Sequence, residues 1–167
     1  MSEFLPHLGH FLNRGVVSME RTLILLKPDA VHRRLVGELL AKFERKGLRL
    51  VGLKLVHCSQ SLAEKHYEVH KERPFYASLI SFLTSGPTVA LVLEGREAIT
   101  VARNLIGATD GVKEAPGTIR GDFALSVQNN LVHGSDSAEN AAKEIALWFT
   151  AEELVNYTPV DNAWVVG

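Results

Sequence analysis

The residues with the clearest chemical potential lie together in Asn130-Leu131-Val132-His133-Gly134-Ser135-Asp136. A strand-like run, Asp122 to Val127, precedes them with large apolar side chains at alternate positions. A helical pattern follows through Ala138, Ala141, Ala142, Ile145 and Trp148, and Asp136 with Glu139 has the spacing of a capping box. On this pattern His133 falls in a short strand-to-helix connection, beside a helix N-terminus whose unpaired N–H groups favour anions. A histidine next to a phosphate site can accept a phosphoryl group. A turn histidine that only hydrogen-bonds fits the same stretch, and the rest of the chain has to separate the two.

The elements around this stretch can be read from periodicity. Thr22 to Leu26 is a continuous apolar run, as expected of a central strand buried on both faces, and it stops at Lys27-Pro28-Asp29 because proline cannot continue a central strand. Lys27 is thereby presented at a strand end. Leu35, Val36, Leu39, Leu40 and Phe43 make one helical face, closed by Gly47 as a C-terminal cap. Leu48 to Val56 reads as a strand with a bulge near Gly52. Ser61 with Glu64 resembles a second capping box, opening a short helix to Lys71; Arg73-Pro74 breaks it before a further helix through Leu79, Ile80 and Leu83. These two helices form an angled hairpin suited to one wall of a cleft. Thr88 to Leu93 is another buried strand, and Arg96 to Ile106 is helical with Arg103 off its apolar face. Gly107 to Thr118 has no period and contains Gly107, Gly111, Pro116 and Gly117, so it reads as a long excursion, of the kind that is functional or disordered.

Stripped of insertions the order is β-α-β-β-α-β. This is an α+β, ferredoxin-like sandwich: a four-stranded antiparallel sheet with helices, carrying an inserted helical hairpin and a long loop before the last strand. The chain has 167 residues, 46% apolar and 7% aromatic, enough for one domain with its own core. Residues 19–167 are expected to form that domain, tail included. Residues 1–18 read as a flexible extension, with Arg14 and the apolar Phe4, Leu5, Phe11 and Leu12 giving only a weak organelle-targeting signal. A net charge of −1 gives no general attraction to nucleic acid or anionic membranes, and no apolar run is long enough to cross a bilayer. Cys58 is the only cysteine, which fits a reducing compartment, and the cytoplasm is the expected location.

Phosphate-loop, dinucleotide and His-Glu-x-x-His signatures are absent. His66-Tyr67 and Val69-His70 read as helix surface residues, and a hydrolase triad built from His133, Ser135 and Asp136 would require near neighbours in one turn to supply geometry that normally comes from separate elements.

Several collinear motifs identify a resemblance. Lys27-Pro28-Asp29, Arg73-Pro74-Phe75, Ser85-Gly86-Pro87, Pro116-Gly117-Thr118-Ile119-Arg120-Gly121-Asp122 and Asn130-x-x-His133-Gly134-Ser135-Asp136-Ser137 together resemble the nucleoside diphosphate kinase family, over about Arg21 to Trp164. The resemblance implies a ping-pong transfer of the γ-phosphate of a nucleoside triphosphate such as ATP to His133, then to a nucleoside diphosphate, with broad base and sugar specificity. It further implies that Nδ1 of a neutral His133 attacks, that Glu144 accepts from Nε2–H, and that Ser135 steadies Glu144.

By the same resemblance Lys27 and Tyr67 hold the transferred phosphate, while Arg103, Thr109 and Arg120 hold the β-phosphate. Asn130 binds a sugar hydroxyl, and Phe75 stacks on the base with Val127 and Leu79 beside it. Mg²⁺ is expected through nucleotide phosphates and water, without direct protein ligands and with Asp136 as an outer contact. The family forms hexamers or tetramers, and a tail reaching Trp164 resembles that of hexameric members. Gly111 departs from the proline common at its position, which implies a more flexible loop. The rival classes are a non-catalytic nucleotide-binding scaffold, which loss of His133, Lys27 or Arg120 would have favoured, and a nucleic-acid binder, disfavoured as a main role by the neutral charge.

Overall fold

A computed structural model describes residues 19–166. The expectations for residues 1–18 lie outside the described residues.

The sheet is built on β1 (Met19–Leu26), whose Leu23 to Leu26 are all fully buried, as their unbroken apolar run requires. Its neighbours are β3 (Pro87–Arg96) and β4 (Val132–Gly134); β2 (Arg49–His57) pairs with the outer side of β3. The order is β2-β3-β1-β4 with every pair antiparallel, the topology of a ferredoxin-like sandwich. Register along β2 shifts between Leu50 and Gly52, at the expected bulge.

Side chains alternate across the sheet and divide the core in two. Ile24, Leu26, Leu91 and Leu93 face α2 (Val36–Arg45) and α5 (Ala98–Ile106), which contribute Leu39, Phe43, Ala102 and Ile106. Leu23, Leu25, Ala90 and Val92 face α3 (Gln60–His66), α4 (Tyr76–Leu83) and α7 (Ala138–Trp148), through Ala63, Leu83 and Trp148. Short helices α1 (Pro28–His32) and α6 (Ile119–Phe123) flank the strand ends, and α8 (Asn162–Val165) lies in the tail. Gly47 follows α2 with φ +94°, as a left-handed cap demands.

The last strand differs from expectation. Asp122 to Val127 is not a strand: Asp122 and Phe123 complete α6, whose N-cap Thr118 accepts from the Gly121 amide at 3.0 Å. Leu125 and Val127, which carried the alternation, are 88% and 57% exposed, and the Ser126 hydroxyl accepts from the Gln128 and Asn129 amides to turn the chain. The strand proper is Val132–Gly134, with His133 paired to Leu25 of β1. His133 therefore stands in the sheet, not in the connection after it. Capping shifts likewise. Ser137 caps α7 by accepting from the Asn140 amide at 3.2 Å, and Ser59 caps α3 by accepting from Leu62. Asp136 and Ser61 are not the caps.

His66 and Tyr67 are also misplaced by the surface reading. Ala63, His66 and Tyr67 lie three and four residues apart, on the face of α3 and its end that packs on the sheet, and all three are buried.

The long loop after α5 is tied at many points. The Asp122 carboxylate accepts from the Gly117 amide at 2.7 Å and from Lys42 Nζ at 2.5 Å, while Glu114 accepts from the Ala115 amide at 3.0 Å and from the Ala108 amide. At Gly111 the backbone itself is the packing surface: a Cβ there would stand 2.5 Å from the Arg120 carbonyl oxygen and 2.6 Å from that of Ala124. The Gly111→Pro change is therefore expected to destabilise the protein, by about 2 kcal/mol. A thermal melt at fixed protein concentration should show Tm lower by roughly 4–8 °C, and an unchanged or higher Tm would refute the tight fit.

Candidate active site

Strand β4 is too short to hold its place by pairing alone, and the turn preceding it is pinned to the end of β1. The Lys27 amide donates to the Leu131 carbonyl at 2.8 Å, and the Asp29 carboxylate accepts from the Leu131 amide at 3.0 Å. Leu131 itself adopts φ +72°. This clasp sets the two strand ends side by side, so that Lys27 and His133 reach the same cavity.

His133 Nε2 lies 3.0 Å from Glu144 Oε1 across the strand-to-α7 junction. Ser135 Oγ donates to Glu144 Oε2 at 2.5 Å, and the buried hydroxyl accepts from the Leu23 amide of β1 at 3.2 Å. A carboxylate at Nε2 makes that nitrogen the protonated one, leaving the Nδ1 lone pair free. Nδ1 takes no hydrogen bond among the described residues. The arrangement is an oriented imidazole with one nucleophilic nitrogen.

The cavity next to it has a volume of about 1000 Å³. One wall comes from the α3–α4 hairpin with Tyr67, Phe75 and Leu79; Phe75 is 48% exposed, its ring open to a flat partner. The opposite wall comes from the segment before β4, with Val127 and Asn130, and from Arg103, Thr109 and Arg120. Every residue expected at the site lines this cavity except Ser135, which is wholly buried behind Glu144.

Positive charge converges at its floor. Lys27 is buried, with Nζ donating to the Gln128 carbonyl at 3.2 Å and to Asn130 Oδ1. Burial pulls its pKa down to about 8, opposed by Asp29 and assisted by Arg120. Asn130 Nδ2 donates to the Val127 and Thr109 carbonyls at 2.7 and 3.1 Å. Arg120 donates to the carbonyls of Asn130, Gly107 and Val132 at 3.2, 3.0 and 2.6 Å. Burial, with Arg103 nearby, lowers its pKa to about 10, which still leaves it a cation at neutral pH. A cavity lined by an exposed aromatic ring, by the cationic Lys27, Arg103 and Arg120 among others, and by a free imidazole nitrogen is equipped for a phosphorylated aromatic compound.

The family model described as Nucleoside diphosphate kinase matches residues 20–154. The chain belongs to the nucleoside diphosphate kinase family. It is 55% identical over 148 residues to a nucleoside diphosphate kinase of Microcystis aeruginosa, covering 89% of this chain and 99% of that one. With one from a Synechococcus species it shares 58% identity over 147 residues, covering 88% and 97%. Among solved structures it resembles a nucleoside diphosphate kinase family protein from Babesia bovis, with TM-score 0.85, 47% identity and coverage of 87% and 99%. It also resembles a halophilic nucleoside diphosphate kinase from Halobacterium salinarum in complex with CDP, with TM-score 0.86, 45% identity and coverage of 89% and 99%. The activity is that of a nucleoside diphosphate kinase, a phosphotransferase.

Within the family framework two features of the site were not legible from the residues. His66 reaches the cavity and meets the His133 ring with centroids 4.5 Å apart; its place three residues after Ala63 on an amphipathic helix was the available signal. The other is the use of Arg120 as a backbone brace.

His66, His133 and Glu144 offer ligand atoms within 4.8 Å of one another, yet they do not form a metal cage. Trp148 Nε1 donates to His66 Nδ1 at 3.2 Å, which leaves a neutral His66 protonated at Nε2, and the Nε2 proton of His133 is committed to Glu144. Asp136 is different: its exposed carboxylate lines the cavity and accepts from Asn140 Nδ2 at 2.7 Å, a bond that holds its pKa down. An ionised oxygen donor at the rim suits Mg²⁺ carried on phosphates.

Proposed function

We propose that the kinase activity runs as a two-step relay through Nδ1 of His133. The Nδ1 lone pair attacks the γ-phosphorus of a nucleoside triphosphate such as ATP, the bond from phosphorus to the β–γ bridging oxygen breaks, and the diphosphate leaves. A β-phosphate oxygen of a second nucleoside diphosphate then takes the phosphoryl group from Nδ1. The observation that carries this reading is the Ser135–Glu144–His133 chain, which spends one imidazole nitrogen on orientation and leaves the other facing chemistry. Positive charge that builds on the ring during attack meets the Glu144 carboxylate.

Lys27 and Tyr67 are assigned to the transferred phosphate, and Arg103, Thr109 and Arg120 to the β-phosphate. Asn130 takes a sugar hydroxyl, and Phe75 stacks on the base with Leu79 and Val127 as apolar lining. Stacking without contacts to the base edge predicts broad base tolerance. Mg²⁺, when bound, neutralises phosphate charge; Asp136 would hold it through water.

We assign the working form to a hexamer, with a tetramer as the alternative. Trp164 is 91% exposed in the tail, and Leu53 and Leu55 are exposed on β2, apolar surfaces of the kind that subunits bury. The cytoplasm is the assigned compartment, in keeping with the single buried thiol of Cys58.

The deciding experiment is intact mass after mixing the protein with ATP and Mg²⁺, followed by GDP. The expected result is one acid-labile phosphoryl group per chain, discharged by GDP with formation of GTP. A chain that binds nucleotide and stays unmodified would sink the relay.

The buried Lys27 adds a pH signature. Its charge is present below about pH 8 and is lost as pH rises through that value in the free protein. Phosphate favours the charged form, so diphosphate affinity is expected to fall above pH 8, with uptake of up to one proton on binding. Calorimetry in buffers of different ionisation enthalpy reads this uptake. A Lys27→Met protein should show none from this site, and equal uptake in both proteins would remove Lys27 as its source.

A further inference from the structure

Beside His133 lies a second imidazole that the relay leaves without a task. His66, at the end of α3, is only 8% exposed, and its ring meets the His133 ring edge to face, with planes at 83°. Trp148, at the end of α7, donates to its Nδ1 at 3.2 Å. An indole N–H can only donate, so Nδ1 is the acceptor and Nε2 carries the proton. Burial, followed by the neighbouring His133 and His70, holds the His66 pKa well below the usual histidine range, so the ring stays neutral. Its Nε2 is buried with no hydrogen-bond partner among the described residues. Packing alone does not require this: an apolar ring would fill the same space without stranding a donor.

We propose that His66 is a positioning residue for the phosphoryl relay: braced by Trp148, it fixes the plane of the His133 imidazole, which Glu144 holds only at Nε2. The inference rests on His133 being the relay. One hydrogen bond at Nε2 defines the tautomer and one point of the ring but leaves the ring free to turn about that contact. A perpendicular neighbour removes the turning motion. The tautomer set by Trp148 also leaves His66 with an Nε2–H donor next to the His133 ring. In-line attack is sensitive to such placement, because a displacement of about 1 Å at a reacting group can cost roughly a hundredfold in rate.

The test measures two quantities on the full chain: the single-turnover rate of His133 phosphorylation by ATP and Mg²⁺, and the equilibrium affinity for ADP. The variants are His66→Phe, which keeps a ring and removes the N–H, His66→Gln, which restores a donor, and Trp148→Phe, which removes the brace. Loss of positioning is expected to slow phosphorylation by about tenfold to a hundredfold in His66→Phe, with ADP affinity within about twofold of wild type. His66→Gln should recover part of that loss, and Trp148→Phe should fall between wild type and His66→Phe. A His66→Phe protein phosphorylated at the wild-type rate would overturn the proposal. So would an equal fall of rate and affinity in both His66 variants, the mark of a packing role. Failure of the wild type to take up phosphate would be a different result, since it removes the relay itself.

Discussion

Replacing His133 with glutamine is expected to abolish phosphoryl transfer, lowering kcat by at least about 10⁴-fold, because the covalent route disappears with the nucleophile. Glutamine is the informative choice. Its amide can still donate to Glu144, so the Ser135–Glu144 contact at 2.5 Å keeps a partner, and the backbone pairing of position 133 with Leu25 is untouched. Diphosphate affinity should therefore stay within a few-fold of wild type, since Phe75, Arg103 and Arg120 stand on other elements. Steady-state assays, equilibrium titration and intact mass on the same preparation separate these effects. Retention of more than a few per cent of wild-type activity would mean that phosphate passes directly between nucleotides or through another side chain.

The second large effect is expected at Arg120, which combines two tasks. Its guanidinium lines the cavity, and it also bonds three main-chain carbonyls: Gly107, where the long loop begins, and Asn130 and Val132, on either side of the turn into β4. One side chain thus joins the loop to the strand that presents His133. Removing it takes this partner from the Gly107 and Val132 carbonyls in a partly buried place, while the Asn130 carbonyl still accepts from the Val132 amide at 2.8 Å. Arg120→Leu should lose roughly 3 kcal/mol of stability. At fixed protein concentration this corresponds to a Tm lower by about 6–12 °C. The value of kcat/KM should fall by about 10²- to 10³-fold through loss of phosphate charge and of loop placement together.

Arg120→Lys distinguishes the two tasks. Lysine restores a charge for phosphate but not the planar fork that spans three carbonyls, so activity should recover further than stability. A Leu variant as stable as wild type would show that the bridge is dispensable. A Lys variant that regained full stability would show that charge alone had been at work.

The rest of the site divides along the same line between local pattern and tertiary contact. Local pattern was enough where burial imposes a period. The run Leu23 to Leu26 could only be a strand covered on both faces, the stripe through Leu39 and Phe43 could only be a helix face, and Gly47 marked the end of that helix. The motif residues, through the family they resemble, also named the side chains that line the cavity.

Local pattern failed where burial and period part company. Strand β4 has three residues, too few to display alternation, while the longer alternating run before it is a helix end followed by exposed turn residues. His66 and Tyr67 looked like surface because their polar atoms conceal that they continue the apolar face begun by Ala63.

The α+β order, the two-sided burial of the central strand and the set of groups available for phosphate chemistry are all legible along the chain. The first two follow from short-range spacing, and the third follows from the motifs through the family they resemble. Which nitrogen of His133 is free depends on packing between distant elements: Glu144 reaches Nε2 from α7 and is itself held by Ser135 at the end of β4. The same holds for Trp148, which meets His66 across 82 positions of sequence, and for Arg120, which reaches back to Gly107. Hydrogen bonds between distant segments leave no period in the chain; they arise when the packed sheet and helices bring their ends to one place.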